Sequence, residues 1–357
     1  MGPRYYRSVT DKVAVHHDEQ LARRGLEAWF ADRGLADPRV TLLPGPQLTG
    51  YSHETIIFDV ASDGVTQRLV ARVEPQDVAL FPDPDLRLEY RLLEAIADEP
   101  IPLPKLHGCE SSPEYLGCPF YVMQYVDGLV PPDAYPLTGW LLDASAEERE
   151  QIWWSGLTAL ARPHLVDWEA KELEFVNGER TLGLSGELDY WGRYVDFVGR
   201  PIAPSAERAW TYLAAERPTG TPVTLCWGDA RLGNQMFADG HCLALLDWEM
   251  ACLSDPIQDL AWFVHFDDLF SDGLNTARLD GIPSRDETIA RYEDLTGFET
   301  KHFDYYELFA AFRFVVILQR LGNLQVRQGS LPPDSTFPID NFASQYLERI
   351  LNEKGIP

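Results

Sequence analysis

The sequence predicts an α+β chain: a small, β-rich N-terminal lobe followed by a larger, mainly helical C-terminal lobe. Three observations carry this reading. The 357 residues correspond to about two domains at roughly 150 residues each. The first third alternates short apolar runs with turn residues in the order strand, loop, strand, strand, helix, strand. Beyond it, helical periodicity dominates. The expected organisation is a helical extension over residues 1–35, a first lobe over 36–127 and a second over 128–357.

Each element has a local signature. Asp18–Arg33 carries Leu21, Leu26, Trp29 and Phe30 at helical spacing, and Gly34 stops it. Val40–Leu43 is β-like and is broken by Pro44, Gly45 and Pro46. Thr55–Val60 and Arg68–Val73 read as two strands joined by the turn residues Ser62, Asp63 and Gly64. Leu86–Ala97 presents Leu86, Tyr90, Leu93 and Ile96 on one side of a helix that Pro100, Pro102 and Pro104 end. Phe120–Val126 is a β run closed by Asp127 and Gly128. Farther on, Ala146–Ala161, Tyr190–Val198 and Ala206–Glu216 are helical, and Pro222–Trp227 is a short strand. Gln235–Phe237 and Cys242–Leu246 form a hairpin across Asp239 and Gly240. After Pro256 the pattern is helical to Asn352, with a proline-rich break at 332–338.

Composition narrows the function. Thirty Lys and Arg stand against 56 Asp and Glu, a formal charge of −26. Phosphate backbones and anionic lipid surfaces recruit Lys and Arg, so nucleic-acid and membrane partners are disfavoured. A nucleotide needs only a local patch and a cation, and stays allowed. The five cysteines are odd in number and lack a CxxC pair, which argues against a disulfide framework or a zinc finger. Met1–Thr10 lacks an apolar signal core, and Leu308–Leu318 is broken by Arg313 and too short to span a bilayer. A cytoplasmic location is expected.

The chemistry concentrates in one segment. Trp227-Gly228-Asp229-Ala230-Arg231-Leu232-Gly233-Asn234 is followed, across the hairpin, by Asp247-Trp248-Glu249. The hairpin returns Asp247 towards Asp229 and Asn234. Two carboxylates and an amide oxygen are hard ligands suited to Mg²⁺. Such a cation would bridge phosphate oxygens and leave one carboxylate to orient a hydroxyl nucleophile.

These residues resemble the catalytic loop and metal motif of the aminoglycoside phosphotransferase family, within the protein-kinase-like fold. The family pattern is His-Gly-Asp, Asn five residues on, then a strand and an Asp. The resemblance implies that Asp229 is the catalytic residue and that Asn234 and Asp247 are metal ligands. It implies that Asp259, which follows Asp255-Pro256, buttresses the loop. The Asp-Trp-Glu-Met run is most similar to a mycobacterial branch and to the phosphotransferase-like domain fused to some acyl-CoA dehydrogenases. One position departs: Trp227 replaces the usual His, which in kinase-like loops supports the loop rather than accepting the proton. Arg231 lies where Ser/Thr kinases often carry a Lys that reaches the transferring phosphate. A phosphate role and a salt bridge within the acidic loop are both open.

The resemblance also implies a nucleotide half. Val70-Ala71-Arg72-Val73 is similar to the strand that carries the nucleotide-binding Lys, with Arg72 in its place. Glu89 on the following helix is its implied partner; an ordinary ion pair is the plainer alternative. Gly50-Tyr51-Ser52-His53 lies where a phosphate-covering loop belongs, with Ser52 as a phosphate contact, although a single glycine also suits a plain turn. Phe120–Val126 resembles the strand leading to the hinge, so the Gln124 carbonyl and Val126 amide would meet the adenine. Trp262, His265, Asp267 and Asp268 lie on the helix after the metal motif and could border the acceptor, but helical aromatics more often pack into the core.

The function implied is transfer of the γ-phosphate of ATP or GTP, with Mg²⁺, to a hydroxyl of a small molecule. The acceptor is either an aminoglycoside-like amino sugar or a hydroxyacid or hydroxyacyl-CoA. The alternative is a kinase-like nucleotide-binding or regulatory protein, for which Trp227 and the thin glycine loop argue. A metal-dependent phosphohydrolase would leave Arg72 and Glu89 without a role. Asp229, Asp247, Glu249, Asp255 and Asp259 form an acidic cluster that a metal and nucleotide would complete.

Overall fold

The computed structural model describes residues 18–44, 53–74, 79–82 and 84–357. The fold is α+β. The chain divides into two compact units: Met1–Glu94 with Pro104–Tyr125, and Ala95–Leu103 with Val126–Pro357. The phosphate-loop residue Ser52 lies outside the described residues.

Among the described residues the first unit holds an antiparallel five-stranded sheet and two helices. Its strands are β1 (Arg39–Leu42), β2 (Glu54–Ser62), β3 (Val65–Val73), β4 (Leu106–Glu110) and β5 (Phe120–Gln124), in the spatial order β1-β2-β3-β5-β4. Alternation in β2 turns Ile56, Phe58 and Val60 inward. These side chains pack with Leu69, Ala71, Phe120 and Val122 and with Leu26, Trp29 and Phe30 of helix α1 (Glu19–Asp32). The opening helix is therefore part of this unit's core rather than an extension to it. Asp18 caps it, accepting from the N–H groups of Gln20 and Leu21. Helix α2 (Leu86–Ala95) follows β3. Strand β4, which the sequence did not announce, pairs with β5 through a bulge.

Residues 95–103 belong to the second unit because their polar groups are satisfied there. The Pro102 carbonyl accepts from the Leu245 N–H at 2.8 Å, and Lys171 pairs with Asp98 and, at 2.9 Å, with Glu99. The helices of this unit are α3 (Trp140–Asp143), α4 (Ala146–Ala161), α5 (Leu184–Val198), α6 (Pro204–Ala215), α7 (Ile257–Phe270), α8 (Arg285–Thr296), α9 (Phe303–Arg327) and α10 (Phe342–Glu353). Capping boxes start α4 (Ser145 with Glu148) and α8 (Ser284 with Glu287). Helices α7 and α9 are apolar around most of their circumference and form the interior. The unit also holds two ribbons: β6 (Thr224–Cys226) with β9 (Cys252–Ser254), beside α5, and β7 (Gln235–Ala238) with β8 (His241–Leu245), beside α4. Asp239 and Gly240, with φ of 50° and 75°, make the β7–β8 turn. Among the described residues no helix is long and apolar enough to cross a membrane.

Candidate active site

The catalytic loop leaves β6 at Cys226, and its path is fixed by a buried carboxylate. Asp259, on the first turn of α7, is fully buried and accepts the N–H of Trp227 at 2.6 Å and that of Gly228 at 3.1 Å. His164 donates to it through Nε2 at 3.2 Å and accepts from the Tyr292 hydroxyl at Nδ1, 2.7 Å away. Gly228 is required here: its φ is +94°, and a Cβ would lie 2.1 Å from the Met250 carbonyl oxygen. The Trp227 indole is buried and donates to the Leu246 carbonyl at 2.9 Å. It thereby ties the catalytic loop to the residue before Asp247, which is the supporting duty expected of the family's His.

Asp229 is held on three sides. Its Oδ1 accepts from Arg231 Nε at 2.9 Å and from the indole N–H of Trp262 at 2.8 Å. Its Oδ2 accepts from Asn234 Nδ2 at 2.7 Å. The same amide donates to the Asp229 carbonyl at 3.1 Å, so Asn234 Oδ1 is the atom of that side chain that could hold a cation. The Asn234 carbonyl accepts from the Leu246 N–H at 2.9 Å, which ties Asn234 to the residue before Asp247. Asp247 adopts φ +63°, an uncommon left-handed conformation for a residue other than glycine. The oxygens of Asp229, Asn234 and Asp247 fit a hard dication such as Mg²⁺.

Arg231 is engaged by carboxylates on both sides. It pairs with Asp229 and with Asp133, and its guanidinium lies 5.2 Å from the Phe266 ring. Burial opposes its charge, but the fields of Asp133 and Asp229 prevail and hold it well above its ordinary value. Of the two readings left open by the sequence, the geometry matches the loop salt bridge. Asp133 was not singled out in the sequence; it lies in a proline-rich segment with no motif around it. A cavity of about 10 Å³ lined by Asp133, Tyr135, Arg231, Phe266 and Asp267 adjoins the loop and is far too small for an acceptor.

The other acidic residues divide by duty. Asp255 caps α7, accepting from the Ile257 N–H and the Tyr306 hydroxyl, each at 2.8 Å. Asp255 and Asp259 are thus satisfied by protein donors and need no cation. Asp267, expected at the acceptor, is held by Tyr135 and by Arg278 at 2.5 Å. Trp262 is buried and donates its indole N–H to Asp229 Oδ1. A second group of ligand-type side chains, His164, Cys226 and Asp259, is buried and committed to hydrogen bonds, with Cys226 Sγ 3.4 Å from the Ser254 carbonyl.

In the first unit, Arg72 sits on β3 between Thr55 and Tyr121 in register. Its Nη2 meets Nδ1 of the buried His53 at 3.1 Å. Burial, reinforced by the Arg72 charge, holds the His53 pKa well below its ordinary value, so the ring is neutral and accepts this bond. The Tyr121 hydroxyl donates to Glu89 Oε1 at 3.1 Å, and Glu89 is buried on α2. Cross-strand neighbours share a face, so Tyr121 brings Arg72 and Glu89 to one side of the sheet. Gln124 ends β5, its N–H bonded to the Lys105 carbonyl at 2.7 Å, and Val126 opens the second unit.

A five-stranded antiparallel sheet unit and a helical unit bearing a Gly-Asp…Asn…Asp loop define a kinase-like phosphotransferase fold. The chain belongs to the phosphotransferase enzyme family, whose model matches residues 48–292. Among solved structures it is similar to a candidate aminoglycoside phosphotransferase from Ralstonia eutropha, at 24% identity and TM-score 0.69, covering 91% of this chain and 98% of that one. It also resembles a Plasmodium vivax ethanolamine kinase, at 13% identity and TM-score 0.52, covering 90% of this chain and 82% of that one. Among curated proteins it is similar to acyl-CoA dehydrogenase family member 10 of Mus musculus, 28% identical over 76% of this chain and 25% of that protein. Family member 11 of Rattus norvegicus is 24% identical over 96% of this chain and 45% of that protein. The chain thus spans a quarter to under half the length of these relatives.

Proposed function

We propose that the protein is a kinase that transfers the γ-phosphoryl group of ATP or GTP, with Mg²⁺, to a hydroxyl group of a small molecule. The observation that carries this is the clamp on Asp229. Trp262 and Arg231 both donate to Oδ1, while Oδ2 receives one side-chain amide. The carboxylate is oriented, with lone-pair capacity on Oδ2 for a hydroxyl proton.

In this mechanism Asp229 orients the acceptor hydroxyl and takes its proton as the phosphoryl group transfers. Mg²⁺, when held by Asn234 and Asp247, supplies charge neutralisation at the phosphate oxygens. Arg72 grips the nucleotide phosphates, and Glu89, through Tyr121, limits its motion. The backbone groups of Gln124 and Val126 meet the base. Arg231 acts chiefly by fixing Asp229, since its charge is already shared between two carboxylates.

For the acceptor, the relatives named as acyl-CoA dehydrogenase family members favour a hydroxyacid or hydroxyacyl-CoA. An aminoglycoside-like amino sugar is the competing class. The test is coupled-assay turnover with ATP and GTP, with and without Mg²⁺, on a panel of hydroxyacyl-CoAs and kanamycin-type amino sugars. Mg²⁺-dependent phosphorylation of one panel, lost by a factor of about 10² to 10⁴ in Asp229→Asn, is expected. Undiminished turnover in Asp229→Asn overturns the mechanism, and nucleotide binding without turnover moves the protein to the regulatory class.

A further inference from the structure

Arg313 lies in the middle of α9 and is 1% exposed. Among the described residues, its Nε and Nη2 meet no hydrogen-bond acceptor. Its surroundings are aromatic: the guanidinium carbon is 4.3 Å from the Trp262 ring centroid, 5.0 Å from that of Phe309 and 5.7 Å from that of Trp191. Burial depresses its pKa, and the fields of Glu187, Asp259 and Asp229 act the other way; an arginine so placed stays charged. A buried charge lacking its hydrogen bonds is a poor device for stability, and a well-packed apolar residue would serve the fold better.

What Arg313 does touch is informative. Trp262 carries the guanidinium over its face and sends its N–H to Asp229 Oδ1. A cation over an indole withdraws electron density from the ring, which makes the N–H a stronger donor. The planar guanidinium also fixes the plane of the ring it covers. We infer that Arg313 is a positioning residue for the Asp229 carboxylate, acting through Trp262. It clamps the indole and strengthens the hydrogen bond that aims Oδ2 at the acceptor. The inference rests on the assignment of Asp229 as the group that receives the acceptor hydroxyl.

The test compares wild type, Arg313→Met, Trp262→Phe and the double variant. In each, kcat and the nucleotide KM are measured with Mg²⁺, together with thermal stability and the indole ¹H–¹⁵N spectrum of the free protein. Arg313→Met is expected to lower kcat about 10- to 100-fold with the nucleotide KM within about twofold. Its melting temperature should be unchanged or higher. Trp262→Phe should fall comparably, and the double variant should fall no further than the lower single. The Trp262 indole resonance, identified by its loss in Trp262→Phe, should move upfield in Arg313→Met.

Wild-type kcat in Arg313→Met, additive losses in the double variant, or an unmoved indole resonance would each overturn the inference. So would a fall in kcat that merely tracks a fall in melting temperature. If Arg313→Met does not fold, Arg313→Lys makes the same comparison: it keeps the charge, loses the planar stack, and should show a smaller loss and a smaller indole shift. Full activity in Asp229→Asn would overturn the assignment of Asp229 as the group that receives the hydroxyl, whereas the indole shift, read without substrate, tests the Arg313–Trp262–Asp229 coupling separately.

Discussion

Asp259 shows what single residues contribute. Its two oxygens receive two consecutive backbone N–H groups and an imidazole. Replacement by Asn substitutes an NH₂ group for one acceptor and sets donor against donor. Asp259→Asn should cost about 2–4 kcal/mol in chemical denaturation and reduce kcat, because the loop that carries Asp229 loses its anchor. At this scale the sequence was most legible where spacing is local. Asp229, Asn234 and Asp247 lie in one loop and hairpin, so their convergence could be read from the chain. Asp133 and His164 reach the loop from distant segments and leave no periodic trace. Arg313 did leave one, as a charge interrupting an apolar helix, but its neighbours depend on how α7 and α9 pack.

Elements set the geometry that these residues use. The β6–β9 pair brackets the segments that carry Asp229, Asn234 and Asp247, with Cys226 opposite Cys252 in register. Between them the chain turns so tightly at Gly228 that a methyl group has no room. Gly228→Ala should therefore destabilise by roughly 2–3 kcal/mol or more and abolish turnover. Gly297→Ala is a fitting control: it has φ +76° and ψ 2°, in the left-handed region, with open space around the missing Cβ, and should cost only about 1 kcal/mol with activity retained. Denaturant midpoints and kcat for the pair check this. Most helices and the β2–β3 and β7–β8 hairpins were visible from periodicity and turn residues. Strand β4 was not, because all five of its residues are half-buried and no alternation marks it. Strand β9 has three residues, too few for a period to register.

At the scale of the whole molecule, two neighbouring groups on α7 give stability opposing pH dependences. Burial, with help from the Arg313 charge, lowers the His265 pKa to about 3. Between there and its ordinary value near 6.5 only the unfolded chain takes the proton, so His265 costs stability as pH falls, at up to about 1.4 kcal/mol per unit. His265→Gln should flatten the stability profile between pH 6.5 and 4. Burial, then Asp267 and Glu307, raises the Asp268 pKa to about 7. Here the folded chain holds the proton longer, and stability is lost as pH rises through that window. Asp268→Asn should be more stable than wild type at pH 8 and equal to it at pH 4, as read by urea unfolding across the range. The charge of −26, which at first only disfavoured nucleic acid and membranes, thus contains carboxylates in separate settings: one oriented by three donors, a loop anchor, a helix cap and one whose pKa is raised to about 7.

Trp227 has a further consequence. An imidazole at the root of the loop would bring a group able to change charge near neutrality and to bind soft or borderline metals. The indole does neither. Position 227 itself therefore keeps the same charge at every physiological pH and adds no nitrogen ligand for a zinc or copper ion.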